Sequence, residues 1–128
     1  MKELALMGDV MGGIILGIES TAHTFSFGSV STDGELFPSF SSLFRPEEGG
    51  IHPREAADHH SESTANLLNQ LSSNKDFSWE SIAAVAFSQG PGLGPCLRVG
   101  ASVARTLATR LSVPLIGVNH CVAHIEVG

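Results

Sequence analysis

The chain has few of the residues that mark membrane, secreted or strongly nucleic-acid-binding proteins. It is 128 residues long, with two cysteines and seven lysines and arginines. No apolar run approaches the roughly 18–20 residues that cross a bilayer. The N-terminus also lacks the apolar stretch of a signal peptide. We therefore expect a cytoplasmic protein without a membrane association, in which Cys96 and Cys121 are reduced thiols rather than a disulfide.

Positive charge is scarce but unevenly placed. The net charge of −6 argues against strong nucleic-acid binding by this chain alone, because neutralisation of phosphates drives such affinity. However, no acidic residue occurs between Ser81 and Ile125, whereas Arg98, Arg105 and Arg110 all lie there. Solvated helix faces would explain this distribution, and so would a basic face directed at RNA or phosphate.

The composition indicates one globular domain. The apolar fraction is 42% and the charged fraction is 16%, and the length is sufficient to bury a core. Residues 1–12 show no clear period and are interpreted as an extension or tag. The folded domain is therefore expected to occupy residues 13–128.

Hydrophobic periodicity predicts the order β-β-β-α-β-α-β. Strands are expected at 14–18, 24–30, 35–44, 82–87 and 115–118, and helices at 53–72 and 96–111. The third strand should be broken near Pro38, and Asp33-Gly34 should form the hairpin turn before it. A meander followed by alternating helices and strands predicts an α/β fold with a mixed sheet.

A glycine-rich loop, Gly90-Pro91-Gly92-Leu93-Gly94-Pro95, separates the fourth predicted strand from its helix. Such a junction presents backbone N–H groups and a positive helix end to an anion. No lysine follows the glycines as in a Walker A loop, and no acidic residue follows to hold a ribose. The loop is therefore either an anion site of another type or a tight turn without a ligand.

A second candidate is the polar turn Glu19-Ser20-Thr21-Ala22-His23-Thr24 after the first strand. Hydroxyl and amide groups in such a turn can hold a phosphate, and a neighbouring carboxylate can help to hold Mg²⁺. An ordinary hairpin turn is the alternative.

The third candidate is a pair of histidines, His120 and His124, near the end of the chain. On a helix they would share one face, as metal ligands must. Cys121 stands where a zinc peptidase has its catalytic glutamate, which disfavours a metalloprotease. Glu126 would lie on another face and is a poor third ligand, and satisfied surface histidines remain the alternative.

A histidine cluster also lies in the predicted first helix. His59 and His60 are adjacent, so their side chains should diverge by about 100° on a helix. We therefore do not expect a metal site there, although Asp58 is close in sequence.

Taken together, five segments resemble the TsaD family, whose archaeal and eukaryotic branch is the catalytic subunit of the KEOPS complex. They are 17–24 (GIESTAHT), 49–53 (GGIHP), 88–95 (SQGPGLGP), 97–100 (LRVG) and 119–124 (NHCVAH). Their order matches the family's, and they are spread over nearly all of 14–128. The resemblance implies one lobe of a two-lobed, actin-like (RNase H-like) ATPase fold.

The resemblance also implies an activity and its site. The family transfers a threonylcarbamoyl group from threonylcarbamoyl-AMP to the adenosine beside the anticodon of tRNA. His120 and His124 match its metal pair, for one iron or zinc ion. Residues in the turn and the glycine loop would line a site for ATP or threonylcarbamoyl-AMP, with Mg²⁺ as a companion ion: Glu19, Ser20, Thr21, Gly92 and Gly94.

The chain departs from the family in length. Family members are more than twice as long, and their second lobe would supply an aspartate that completes the metal site. We therefore expect an N-terminal portion that is inactive alone. The resemblance implies a kinase subunit and a small dimerising subunit as partners, the latter docking on the helices at 53–72 and 96–111. The alternative is a non-catalytic lobe that binds partners.

Overall fold

A five-stranded mixed sheet carries two helices on one of its faces. The computed structural model describes residues 13–21, 23–44, 52–75 and 77–119. In chain order the elements are β1 (Ile14–Glu19), β2 (Thr24–Ser31), β3 (Phe40–Leu43), α1 (Pro53–Ser72), a 3₁₀ turn (Trp79–Ser81), β4 (Ile82–Gly90), α2 (Gly94–Leu111) and β5 (Leu115–Asn119).

The strands lie in the order β3-β2-β1-β4-β5. The first three pair antiparallel, whereas β4 pairs parallel with β1 and β5 pairs parallel with β4. The turn after β2 depends on Gly34, which has a φ of 93° and donates its N–H to the Ser31 carbonyl at 2.9 Å. The predicted meander, mixed sheet and element order are confirmed.

The main difference from the sequence prediction is β3. We expected a strand over 35–44, but regular pairing with β2 covers only Phe40–Leu43. Leu36 forms an isolated bridge with Val30. Pro38, which has no N–H to donate to a neighbouring strand, lies between Leu36 and the start of β3 at Phe40. By contrast, β4 is longer than predicted and continues to Gly90.

The core lies between the sheet and the helices. Ile14, Leu16 and Ile18 alternate along β1 and are buried, as are Phe25 and Phe27 on β2. On α2 the buried positions are small residues, which allow the helix to approach the strands closely: Cys96, Gly100, Ala104 and Ala108. The larger apolar residues of α2 are only partly buried at its flanks.

The opposite face of the sheet is lined by small residues. Gly17 pairs with Gly28 on β2 and with Ala86 on β4, and a groove of about 300 Å³ lies over them. Glu19 and Ser88 line the same groove. Neither α1 nor α2, the two helices of the described residues, has the length and apolarity of a membrane-spanning helix.

Cys96, in the first turn of α2, is a buried free thiol. Its Sγ lies 3.9 Å from the carbonyl oxygen of Pro53, and burial raises the pKa of the Cys96 thiol. Cys121 is outside the described residues, so the prediction that both thiols are reduced stays a prediction.

Candidate nucleotide-binding turn and loop

The turn after β1 is held in shape by the carboxylate of Glu19. Its Oε1 accepts a hydrogen bond from the Thr21 N–H at 2.9 Å and another from the Thr21 hydroxyl at 2.5 Å. Ser20 donates its N–H to the Ser88 hydroxyl at 3.3 Å, which ties the turn to β4. The Glu19 carboxylate therefore fixes Thr21, and the Ser88 hydroxyl holds Ser20.

The glycine-rich loop folds directly against this turn. Leu93 donates its N–H to the Thr21 carbonyl oxygen at 2.7 Å. A Cβ on Gly92 would lie 2.6 Å from that oxygen and 2.8 Å from the Thr21 Cβ, so no side chain fits there. The two motifs that the sequence singled out separately are therefore in direct contact.

The start of α2 adjoins this contact. Leu93 is the N-cap residue, makes no side-chain capping hydrogen bond, and is followed by Gly94 as the first helical residue. Unpaired N–H groups and the helix dipole give a helix start a positive potential. This arrangement suits a phosphate group beside the turn, and the phosphate site stays a prediction.

The hydroxyl of Ser20 points into the protein. Ser20 has no exposed surface, and its Oγ finds no hydrogen-bond partner among the described residues. A Cβ on Gly100 of α2 would overlap that oxygen. Ser20 thus packs the turn against α2. Nucleotide binding by Ser20 and by the other predicted residues stays a prediction.

The predicted metal pair, His120 and His124, lies outside the described residues, as does Ala22 of the turn. Within the described part of the chain, no three side chains of histidine, cysteine, aspartate or glutamate are grouped closely enough for a metal ion. The iron or zinc site remains a prediction.

Sequence reasoning missed a hydrogen-bonded cluster between α1 and β3. The rings of His59 and His60, expected to diverge, meet with their Nδ1 atoms 3.0 Å apart. The other nitrogen of His59, Nε2, lies 2.9 Å from the Ser42 hydroxyl, and the fully buried His60 stacks on Phe25. The Cβ directions diverge on a helix, but the imidazoles are long enough to bend back towards each other.

The environment of His59 also shifts its protonation. Burial lowers the pKa of His59, because a charged imidazolium loses hydration there, and the nearby Glu62 carboxylate only partly opposes this. The adjacency of the two histidines was visible in the sequence, but Ser42 lies 17 residues away on another element.

Comparison with known proteins identifies the family. The model of the family "TsaD: tRNA N6-adenosine threonylcarbamoyltransferase" matches residues 39–128, which is more than half of the chain. The chain belongs to the TsaD family. The resemblance recognised in the motifs is confirmed.

Curated archaeal relatives agree with this assignment. A tRNA N6-adenosine threonylcarbamoyltransferase of Methanopyrus kandleri is 54% identical over 116 residues, which are 90% of this chain and 34% of the relative. The Archaeoglobus fulgidus protein of the same name is 54% identical over 115 residues, 90% of this chain and 35% of its own length. The chain thus spans about a third of the relatives that it matches.

Solved structures share the fold. YeaZ from Pseudomonas aeruginosa superimposes with a TM-score of 0.58 at 19% identity, over 84% of this chain and 43% of that one. RuvC from Thermus thermophilus, bound to a Holliday junction, gives a TM-score of 0.52 at 14% identity, over 85% and 66%. The predicted actin-like, RNase H-like architecture is confirmed.

Proposed function

We propose that residues 13–128 are the N-terminal lobe of a tRNA N6-adenosine threonylcarbamoyltransferase and that residues 1–12 are an extension. The observation that carries the proposal is the contact of Thr21 with Gly92 and Leu93, in a chain of the TsaD family. In the reaction, the exocyclic amine of the adenosine attacks the carbamoyl carbon of threonylcarbamoyl-AMP. The bond from that carbon to the phosphate oxygen breaks, AMP leaves, and the amine loses a proton.

In this proposal the turn and the loop hold the nucleotide part of the donor. Gly92 lets the loop close on Thr21, and the absence of a side chain at Gly94 leaves the uncapped start of α2 open to a phosphate. Glu19 keeps the turn in register through its bonds to Thr21, and a carboxylate at this position also suits Mg²⁺ beside ATP or threonylcarbamoyl-AMP.

His120 and His124 would hold one iron or zinc ion, with the third ligand supplied from outside this chain. Imidazole nitrogens suit both metals. Such an ion supplies Lewis-acid polarisation of a carbonyl group. Because that ligand set is incomplete here, we propose that the chain alone is inactive and acts, in the cytoplasm, within a larger assembly.

A second candidate function is partner binding without catalysis. A groove of about 360 Å³ lies between the two helices, lined by Ser61 of α1 and by Pro95, Val99 and Val103 of α2. In the transferase proposal, the same helices dock the small dimerising subunit of a KEOPS-type complex, which also contains a kinase subunit. The groove favours docking in either case.

A chimaera tests the transferase proposal against partner binding. This chain would replace the matching N-terminal portion of the Methanopyrus kandleri relative, and tRNA modification would be measured by mass spectrometry of nucleosides. The intact relative, with the same tRNA, threonylcarbamoyl-AMP and partner subunits, is the positive control. We expect modification by the chimaera and none by the chain alone.

A folded, partner-bound chimaera that modifies no tRNA would contradict the transferase proposal and support the binding module. Activity of the isolated chain would show that it is not an incomplete enzyme. In the chimaera, His120→Ala should also lower the iron or zinc content, whereas His23→Ala, at an exposed histidine of the turn, should leave it unchanged.

A further inference from the structure

A groove lined by two arginines lies between α2 and the end of β4. It measures about 290 Å³ and is lined by the exposed Gln89, Arg98 and Arg105 and by the partly buried Phe87, Leu97 and Ala101. None of Glu19, Thr21 and Gly92 lines it. Ser88, whose hydroxyl accepts the Ser20 N–H, also lines the groove, which therefore borders the turn without including its contact with the loop.

We infer that this groove binds the phosphodiester backbone of RNA. The inference rests on the proposed function, because tRNA is the substrate of that reaction, and it goes further by assigning a place on this chain to the RNA. Its physical basis is the set of hydrogen-bond donors around the groove, whose described lining residues include no carboxylate.

The two arginines have no ion-pair partner among the described residues. Arg98 and Arg105 are seven residues apart and therefore lie on one face of α2, about 10 Å apart along its axis. Both are exposed, and neither forms an ion pair or a hydrogen bond with any other described residue. No carboxylate occurs anywhere in the sequence from Ser81 to Asn119. Arginine suits phosphate because its planar fork donates two hydrogen bonds to adjacent oxygens.

A third, neutral donor is held in place by a glycine. The ladder between β4 and β5 shifts register between Ser88 and Gly90, so Gln89 is bulged out of it. Its side-chain amide lies across Gly117 of β5, where an added Cβ would overlap it. The amide thus lies in the same groove as the arginines, and its NH₂ group can donate to a phosphate oxygen.

The isolated chain should bind RNA weakly because its net charge is −6, but the binding should depend on the residues of this groove. The test measures the affinity for a fluorescently labelled tRNA transcript by anisotropy over a series of salt concentrations. We expect Arg105→Ala to weaken binding roughly tenfold, the usual value of a hydrogen bond to a charged group. The same change should reduce the slope of log affinity against log salt concentration by about one, because about one fewer counterion is released.

Arg110→Ala is the matched control. Arg110 is also exposed on α2 but does not line the groove, so its loss removes the same charge without removing the contact. We expect less than a twofold change. Equal losses for Arg105→Ala and Arg110→Ala would mean diffuse attraction and would overturn the inference, as would a wild-type chain that binds no tRNA.

Two further variants examine the neutral donor. Gln89→Ala should weaken binding without changing the salt dependence, because an amide releases no counterion. Gly117→Ala should reproduce that loss by displacing the amide, with circular dichroism as the check on folding. Unchanged affinity in both would exclude Gln89 from the site.

This test and that of the proposed function fail separately. Suppose that the chimaera modifies tRNA and that its Arg105→Ala variant is equally active and binds tRNA with the same affinity. Then only the assignment of the groove to RNA is wrong. If the groove binds RNA but the chimaera is inactive, only the transferase proposal is wrong.

Discussion

At the scale of single residues, the candidate site depends on a glycine that cannot be replaced. The Thr21 carbonyl accepts the Leu93 N–H, and the Gly92 Cα lies so close that an added Cβ would be 2.6 Å from the Thr21 carbonyl oxygen, well inside the van der Waals contact distance. The sequence singled out both motifs as candidate anion sites, with an ordinary turn as the alternative for each. It did not predict that they touch, because that contact joins backbone groups about 70 residues apart, for which local patterns carry no information.

Gly92→Ala should therefore destabilise the fold. Overpacking against a rigid backbone typically costs about 1–3 kcal/mol of the free energy of unfolding. Urea denaturation followed by circular dichroism measures this. Gly94→Ala is the control, because its Cβ would meet only Arg98 Nη1 at 3.8 Å. Alanine is the better helix former by up to about 1 kcal/mol, so this variant should be as stable as wild type or more stable. Equal losses in the two variants would refute the steric account.

At the scale of elements, local sequence rules succeeded where an element carries its own start signal and apolar spacing. Pro53 at the first helical position and the apolar spacing up to Leu71 predicted α1 with the bounds observed, Pro53–Ser72. The bounds of the short strand β3 are not set by its own sequence alone. Its paired length is set by β2 and interrupted near Pro38, and it is joined to α1 by the hydrogen bond between Ser42 and His59.

That junction should make stability depend on pH. The pKa of His59 in the folded chain lies below its ordinary value of 6.5, so the unfolded chain binds more protons once the pH falls through that value. The stabilisation is therefore complete above pH 6.5 and is lost as the pH falls from there towards the folded pKa. Urea midpoints at about pH 8 and about pH 5.5 should show lower stability in acid.

His59→Gln should reduce this difference, because glutamine can still bond to Ser42 but does not titrate. His23→Gln is the matched control, since it removes an exposed histidine outside the network. If His59→Gln keeps the full wild-type difference between the two pH values, His59 is not its source.

At the scale of the whole molecule, one apolar cluster joins the elements. It includes Leu16 of β1, Phe27 of β2, Leu71 of α1, Val85 of β4 and Ala104 of α2. Composition predicted a single core, and hydrophobic alternation predicted which strand residues enter it. The groove over Gly17 and the open side of the sheet could not be predicted in the same way, because small residues fit both a bare face and a closely covered one.

Because this cluster joins both helices to β1, β2 and β4, the chain should unfold in one cooperative step. Its single tryptophan, Trp79, lies between α1 and β4, packs edge-on against Phe77 and donates its Nε1–H to the Ser72 hydroxyl at 2.9 Å. Its fluorescence therefore reports the junction of the two elements, whereas far-UV circular dichroism reports all of them. The two urea midpoints should coincide, and Ser72→Ala should alter the emission of the folded state while leaving the two midpoints equal. Separate midpoints would mean that α1 and the sheet unfold independently, which a shared core forbids.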